Sequence, residues 1–244
     1  MSIVAIIPSR YASTRLPGKP LADICGKPMI QHVYERVRQV KLLDEVLVAT
    51  DDERIANAVR GFGGSVCMTS ADCPSGSDRL IEAAAEHPAD IYLNVQGDEP
   101  LVEPGAIEKL AQAMLDDGSL QMATLCYPVD AARAADPNLV KVVRGLDGSA
   151  LYFSRSPIPY PRSGGIAPQY FGHLGIYAYR RGLLMRFGSL PYSPLEHTEK
   201  LEQLRVLQAG IAIRVLEVQA MGPGVDTPED LEEVRRIMRT GGQG

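Results

Sequence analysis

Short apolar runs alternate along the chain with longer segments in which apolar residues recur every three or four positions. The runs are nearly continuous, as expected for strands buried on both faces of a sheet, and they cover residues 3–7, 46–50, 65–68 and 91–95. Helices are predicted between them, one opened by Pro28 and running to Val40, one over residues 52–61 with Gly61 suited to a C-cap, and one over 77–86. This alternation predicts a wound α/β sheet.

The pattern changes after about residue 120. Residues 140–144 and 150–154 flank Asp147-Gly148, a dipeptide typical of hairpin turns, so an antiparallel insertion is predicted here. Residues 152–170 are rich in Pro, Gly and Ser, which indicates a long and functional loop. The remaining elements return the chain to the sheet, and they are a strand over 173–179, a helix over 195–208, a strand over 211–218 and a last helix capped by Thr227.

Composition narrows the class of protein. The 244 residues are 45% hydrophobic and carry a net charge of −5, with acidic and basic residues interspersed, so nucleic-acid binding is not expected. The N-terminal apolar run lacks a basic leader and ends at Pro8, which favours a strand over a signal peptide, and no run is long enough to predict membrane insertion. The cysteines lie far apart without paired spacing, which argues against a zinc site and a disulfide framework and favours a cytoplasmic setting.

The loop after the first strand, residues 8–19, is the segment richest in candidate chemistry. It carries Arg10, Arg15 and Lys19 together with several hydroxyl side chains. Such a turn can offer backbone N–H groups to an anion, while guanidinium and ammonium groups contact phosphate oxygens. A solvated basic loop is the alternative. A polyphosphate site is favoured because the loop follows a strand at the carboxyl edge of the sheet, the usual ligand position in this class.

Residues 10–21 resemble the signature loop of sugar cytidylyltransferases, above all the CMP-Kdo synthetase family, the 3-deoxy-manno-octulosonate (Kdo) cytidylyltransferases. Further segments resemble family motifs in the family's order, at residues 94–100, 152–155, 173–177, 201–205 and 224–230. The resemblance implies a Rossmann-like three-layer nucleotidyltransferase fold with a mixed, mostly parallel central sheet and an inserted antiparallel hairpin region. It also implies a single domain over residues 1–244, with a sugar-binding and dimerisation subregion at about 125–190.

The resemblance implies an activity as well. CMP is transferred from CTP to the anomeric hydroxyl of Kdo, giving CMP-Kdo and diphosphate for lipopolysaccharide biosynthesis, with Mg²⁺ as cofactor and a homodimer as the assembly. Two alternatives stay open at this point. One is a cytidylyltransferase for another acidic sugar, 8-amino-Kdo or a sialic acid, and the other is a non-catalytic nucleotide-binding subunit.

Site residues carried over from the family fall into groups by role. The catalytic group is Arg15, Lys19 and Asp98. The nucleotide group is Arg10, Ser13, Thr14, Arg15, Lys19, Ser77 and Arg79. The sugar group is Gln96, Arg155, His173, Tyr177, Glu202 and Gln203. The metal group is Asp98 and Asp226, since Mg²⁺ prefers carboxylate oxygens.

Structural explanations compete with several of these assignments. Asp98 could be a turn residue, and Asp226 could be favoured at a helix start by the dipole. Arg79 and Glu202 could lie on solvated helix faces, and the side chains predicted on the strand over 173–179 could simply pack there.

Overall fold

The computed structural model describes residues 1–12, 15–73, 75–163 and 166–241. Ser13 and Thr14, predicted to bind nucleotide, lie outside the described residues. The chain forms two compact units, residues 1–111 with 221–244 and residues 112–220. Among the helices within the described ranges, none combines the length and hydropathy that a membrane span needs.

The first unit is built around a parallel sheet. Its elements in chain order are β1 (Ile3–Pro8), β2 (Asp23–Ile24), β3 (Lys27–Pro28), α1 (Met29–Val37), β4 (Glu45–Thr50), α2 (Glu53–Gly61), β5 (Ser65–Met68), α3 (Gly76–Glu86), β6 (Ile91–Asn94) and α4 (Pro104–Asp116), of which residues 112–116 belong to the second unit. The main strands run in the order β6-β1-β4-β5, all parallel, and β2 and β3 form a separate small hairpin. Their apolar side chains are buried, which explains the near-continuous apolar runs.

The second unit contains the antiparallel insertion. Its elements are β7 (Met122–Val129), α5 (Ala131–Ala134), β8 (Lys141–Arg144), β9 (Ala150–Ser154), β10 (Tyr170–Arg180), α6 (Arg181–Arg186), α7 (Pro194–Glu199), α8 (Gln203–Gln208) and β11 (Ile213–Glu217). β7 pairs parallel with β11 and antiparallel with β10, while β8 and β9 form the predicted hairpin, with Gly148 at φ 79° in its turn. The mixed α/β class predicted from the sequence is therefore confirmed.

The last helix, α9 (Pro228–Gly241), returns to the first unit. Thr227 caps it as predicted, because its Oγ1 accepts from Asp230 N at 3.2 Å and the Asp230 carboxylate accepts from Thr227 N at 2.9 Å. Leu231 and Val234 of α9 are buried against Met29 and Leu101. This packing fixes the start of α9 close to the end of β6.

Some sequence predictions were wrong. The helix predicted over 195–208 is divided into α7 and α8, because Lys200 adopts a left-handed conformation with φ 56° and ends the first of them. The Glu199 carboxylate at that end accepts from Ser154 Oγ at 2.6 Å and Arg155 N at 3.0 Å. These tertiary bonds stabilise an end that no glycine marks in the sequence.

Other differences concern helix ends and missed elements. Gly61 is the last residue of α2, and the left-handed position that suits glycine falls at Gly63, with φ 79°. Pro28 is the N-cap of α1 and does not begin the helix itself. Both α4 and β7 were missed from the sequence.

Candidate active site

The loop after β1 is closed by Gly18. Gly18 N donates to Tyr11 O at 3.0 Å, and Gly18 itself has φ 69°. A Cβ at Gly18 would lie 3.1 Å from the Tyr11 ring, and the Arg54 guanidinium stacks on the same ring at 3.3 Å from its centroid. Only glycine meets both the left-handed backbone and the close approach of the ring.

Lys19 begins a short 3-10 turn, Lys19–Leu21, directly after Gly18. Its side chain is only 14% exposed. The Nζ donates to Asp98 Oδ2 at 2.6 Å, to Val225 O at 2.9 Å and to Asp226 Oδ1 at 3.2 Å. These contacts match the three N–H donors of an ammonium group, so Lys19 joins the loop after β1 to the two predicted metal carboxylates.

Asp98 and Asp226 approach each other from distant parts of the chain. Asp98 follows β6, and its carbonyl oxygen accepts from Val225 N at 2.8 Å, which ties the turn after β6 to the segment before α9. Asp226 N donates to Asp230 Oδ2 at 3.0 Å, within the cap of α9. Arg15 Nη2 lies 3.3 Å from Asp226 Oδ2, where both side chains are exposed. The structure thus brings the whole predicted catalytic and metal group together.

Glu99, which the sequence prediction missed, adds a third carboxyl group beside this pair. Burial raises its pKa to about 8, and the negative charges of Asp98 and Asp226 contribute in the same direction. Its Oε1 would lie 2.9 Å from a Cβ at Gly224, so the glycine leaves room for the carboxyl group. The only available sequence signal was its position next to Asp98.

The opposite wall comes from the start of α3. Ser75 is the N-cap, with its Oγ accepting from Asp78 N at 3.2 Å, and Ser75 and Gly76 both line the cleft. Ser77 lies in the first turn of α3 and is not among the lining residues. The helix therefore presents its N-terminus, the positive end of its dipole, toward the cleft.

Arg79 is buried at 4% exposure and also lines the cleft, which excludes the surface-helix explanation. Its Nη1 donates to Thr69 Oγ1, and its Nη2 lies 3.3 Å from Asp51 Oδ2. These partners follow β5 and β4, so the guanidinium is fixed at the carboxyl edge of the sheet.

These walls enclose a cleft of about 590 Å³ in the first unit. Arg10, Arg15, Lys19 and Gln96 are among the residues that line it. At its floor, a Cβ at Gly97 would lie 2.6 Å from Ser9 Oγ and 3.0 Å from Pro8 O. Ser9 is 4% exposed, and its Oγ has no hydrogen-bond partner in the described part of the chain. A buried hydroxyl of this kind is suited to a polar ligand atom.

The predicted sugar residues other than Gln96 lie in the second unit. His173 and Tyr177 of β10 are partly buried, with their ring centroids 5.4 Å apart, and Phe153 contacts His173 edge-on at 4.9 Å. A bulge between Leu174 and Tyr177 interrupts the pairing of β10 with β7. Desolvation lowers the pKa of His173 to about 3, so the ring is neutral at physiological pH.

Tyr177 lies within electrostatic range of Glu202. Burial raises the pKa of the Tyr177 hydroxyl, and the charge of Glu202 raises it further. Gln203, next to Glu202, begins α8 and is buried. The structure therefore brings Tyr177 into contact with His173 and within electrostatic range of Glu202.

Arg155 is fixed by backbone oxygens. Its Nε donates to Glu199 O at 2.8 Å, and its Nη1 donates to Pro137 O at 3.1 Å. Lys141, fully buried beneath it, donates to Arg155 O and to Leu139 O at 2.6 Å. These bonds hold the beginning of the loop after β9.

Comparisons with known proteins match the chain to cytidylyltransferases. Residues 4–213 match the family model described as Cytidylyltransferase. The chain is 57% identical over 235 residues to the 3-deoxy-manno-octulosonate cytidylyltransferase of Escherichia coli, covering 96% of this chain and 95% of the relative. It is 51% identical over 240 residues to the protein of the same name from Myxococcus xanthus (strain DK1622), covering 98% and 97%.

A solved structure gives an equally close match. CMP:2-keto-3-deoxy-manno-octonic acid synthetase complexed with CTP superimposes with a TM-score of 0.96 at 56% identity, covering 99% of this chain and 100% of that one. The likeness extends over both units of the chain.

Proposed function

The chain belongs to the cytidylyltransferase family, and from that premise we propose that it transfers CMP from CTP to the anomeric hydroxyl of Kdo, giving CMP-Kdo and diphosphate. The observation that carries the proposal is the convergence of Lys19, Asp98 and Asp226 in a cleft whose other walls are cationic. The near-identical fold of a synthetase named for this sugar and complexed with CTP supports it.

The cationic walls are assigned to the triphosphate. Arg10 and Arg15 lie on the loop after β1, while Arg79 and the N-terminus of α3 form the facing wall. Attack at the α-phosphate spreads negative charge over the phosphate oxygens, and fixed donors stabilise that charge. Arg79 is already oriented by Thr69 and Asp51. Lys19 can exchange its exposed contact with Asp226 for a phosphate oxygen and still keep its bond to Asp98.

The carboxylates fit the Mg²⁺ that the family implies. Asp98 and Asp226 both contact one ammonium group, so a cation already lies between them, and their donor atoms are the hard oxygens that Mg²⁺ prefers. Burial raises the pKa of the neighbouring Glu99, and the negative charges of Asp98 and Asp226 raise it further. We assign Asp98 and Asp226 as the protein ligands. Mg²⁺, when bound, neutralises phosphate charge and lowers the pKa of the attacking hydroxyl.

The second unit is assigned to the acidic sugar. A guanidinium held at Nε and Nη1, as in Arg155, has one terminal nitrogen left to pair with a carboxylate. His173, Tyr177, Glu202 and Gln203 offer hydrogen-bond groups to sugar hydroxyls. Gln96, in the first unit, is assigned to the sugar through the family pattern.

The two alternatives raised by the sequence are not favoured. The Escherichia coli and Myxococcus xanthus relatives, each more than half identical to this chain over the aligned residues, carry names that specify the manno-octulosonate sugar, which disfavours another acidic sugar. A non-catalytic subunit has no need of the Lys19, Asp98 and Asp226 contacts.

The proposal also covers the oligomeric state and the cellular location of the protein. Exposed apolar side chains of the second unit, Leu146, Leu151, Tyr160 and Ile166, support a homodimer formed through this unit. A dimer mass by light scattering is expected, and a monomer mass at micromolar concentration would remove the assignment.

The free cysteines support a reducing cytoplasm. We propose that the activated Kdo serves lipopolysaccharide biosynthesis.

Diphosphate release tests the proposed substrates. The enzyme is incubated with Mg²⁺ and CTP together with Kdo, 8-amino-Kdo, sialic acid or no sugar, and then with UTP replacing CTP. Release is expected with CTP and Kdo, and far less with the other pairs. Preference for another sugar would reassign the substrate, and CTP binding without release would indicate a non-catalytic subunit.

A further inference from the structure

A second cluster of metal-ligating side chains lies away from the cleft, at the other end of α3. It consists of Cys67 in β5, Glu86 at the end of α3 and His87, the C-cap of that helix. One ligand atom from each residue lies within 4.8 Å of the other two. Cys67 is 4% exposed, whereas Glu86 is exposed and the His87 side chain is 29% exposed. We call this cluster the β5–α3 site.

We propose that the β5–α3 site binds a thiophilic divalent cation such as Zn²⁺, with the Cys67 thiolate, the Glu86 carboxylate and the His87 imidazole as ligands. Sulfur, nitrogen and carboxylate oxygen are the donor types found around zinc, whereas Mg²⁺ takes oxygen alone. The Cys67 Sγ and Glu86 Oε2 are 3.5 Å apart. Two such ligands of one tetrahedral zinc ion stand about 3.5 Å apart, as bond lengths of about 2.3 Å and 2.0 Å require.

His87 is held in place by its neighbours. The Glu45 carboxylate at the start of β4 has its Oε2 3.2 Å from His87 Nδ1. A carboxylate that accepts from Nδ1–H fixes the tautomer whose Nε2 lone pair is available to an ion, the arrangement common around protein zinc. The Tyr92 hydroxyl also donates to His87 O at 3.1 Å, which fixes the backbone. The imidazole is therefore oriented by contacts outside the proposed ligand set.

Local charge also favours a cation. Cys67 Sγ lies 3.5 Å from Glu86 Oε2, and Glu45 Oε2 lies 3.2 Å from His87 Nδ1. Two carboxylates therefore stand around the thiol and the imidazole, and a divalent ion would neutralise their charge. Binding breaks the S–H bond, forms a metal–sulfur bond and releases one proton to solvent.

The proposal departs from the expectation drawn from cysteine spacing. Paired cysteines at short spacing mark many zinc sites, and this chain has none. Here Cys67 is supplied by β5, and the adjacent Glu86 and His87 by the end of α3. The packing of α3 on the sheet creates the cluster.

Cobalt titration tests the site. Metal-depleted full-length protein is titrated with Co²⁺ in excess Mg²⁺, and thiolate-to-cobalt charge-transfer absorption is recorded in the near ultraviolet. One equivalent should produce the band, and one equivalent of Zn²⁺ should abolish it. Cys67→Ser should lack the band, and His87→Gln should bind Co²⁺ at least about 10-fold more weakly. Cys25→Ser, which removes an exposed thiol, is the matched control and should keep the wild-type band.

Several results would overturn the proposal. These are no band in wild-type protein, a band that survives in Cys67→Ser, or a band lost in Cys25→Ser. Because Cys67 is buried and its replacement could impair folding, Glu86→Gln at an exposed position provides a second variant. Unchanged Co²⁺ affinity in both folded Glu86→Gln and His87→Gln would equally reject the site.

Discussion

Replacing Asp98 with Asn removes one negative charge from the cleft while keeping the size of the side chain. Asp98 Oδ2 accepts a 2.6 Å bond from Lys19 Nζ, and the carboxylate is assigned to the metal. An amide oxygen can still accept from Lys19, so the turn after β6 should keep its shape. Val225 N also continues to donate to the backbone oxygen of residue 98.

The substitution should affect both the stability of the protein and its turnover. The Asp98 side chain is 32% exposed, so the ion pair with Lys19 stabilises the fold by at most about 1 kcal/mol. For a chain of this length that corresponds to a fall in Tm of about 2–4 °C. Loss of a charge that acts on the transition state is far more costly, and kcat should fall at least about 10²-fold.

The assay is diphosphate release over a range of Mg²⁺ concentrations, with Tm measured on the same samples. Asp98→Asn should require more Mg²⁺ and turn over slowly even at saturation. Asp116→Asn, at an exposed position near the end of α4, serves as the matched control and should behave as wild type. Near-normal turnover of Asp98→Asn would refute the metal assignment, and a fall in Tm well above 4 °C would refute the structural reasoning.

Further predictions concern other parts of the two units. Gly97→Ala should reduce kcat/KM for CTP and destabilise the protein by about 1–3 kcal/mol, because the added Cβ overlaps Ser9 Oγ. Gly105→Ala is the control and should change neither quantity, because the space around Gly105 is open. Equal losses of stability in chemical denaturation would contradict this reasoning. Arg79→Lys should raise KM for CTP about 10-fold or more, because an ammonium cannot contact both Thr69 and Asp51 as the guanidinium does; unchanged KM would remove Arg79 from the site. The pKa of His173 is about 3 in the folded protein, below its unfolded value, so the protein loses stability as pH falls below about 6.5. Between pH 7 and 5, the free energy of unfolding in urea should fall by up to about 2 kcal/mol more for wild type than for His173→Gln. Equal losses in the two proteins would count against a neutral histidine.

Local patterns predicted those elements whose burial and caps are visible in short stretches of sequence. The apolar run of β1 and the Thr227-Pro228 start of α9 are examples. Local patterns failed where tertiary contacts determine where an element begins or ends. Lys200 ends α7 without a glycine, and Pro104-Gly105 resembles a turn although Pro104 begins α4. In β7, Pro128 weakens the strand pattern.

The candidate site could be predicted only where sequence motifs mark its residues. Motifs pointed to Lys19, Asp98 and Asp226, but these residues are separated by 79 and 207 positions, so only the fold brings them within bonding distance. Glu99 and Ser9 could not be found from spacing, because their environment depends on burial and on the close approach of Gly224 and Gly97, respectively.

Phosphorus NMR of a reaction with CTP, Kdo and Mg²⁺ is the sharpest test of CMP transfer at the α-phosphate. The CTP signals should be replaced by equal amounts of the CMP-Kdo phosphodiester and of diphosphate, and neither product should form when Kdo is omitted. Formation of CDP and inorganic phosphate, or of diphosphate without the phosphodiester, would contradict it.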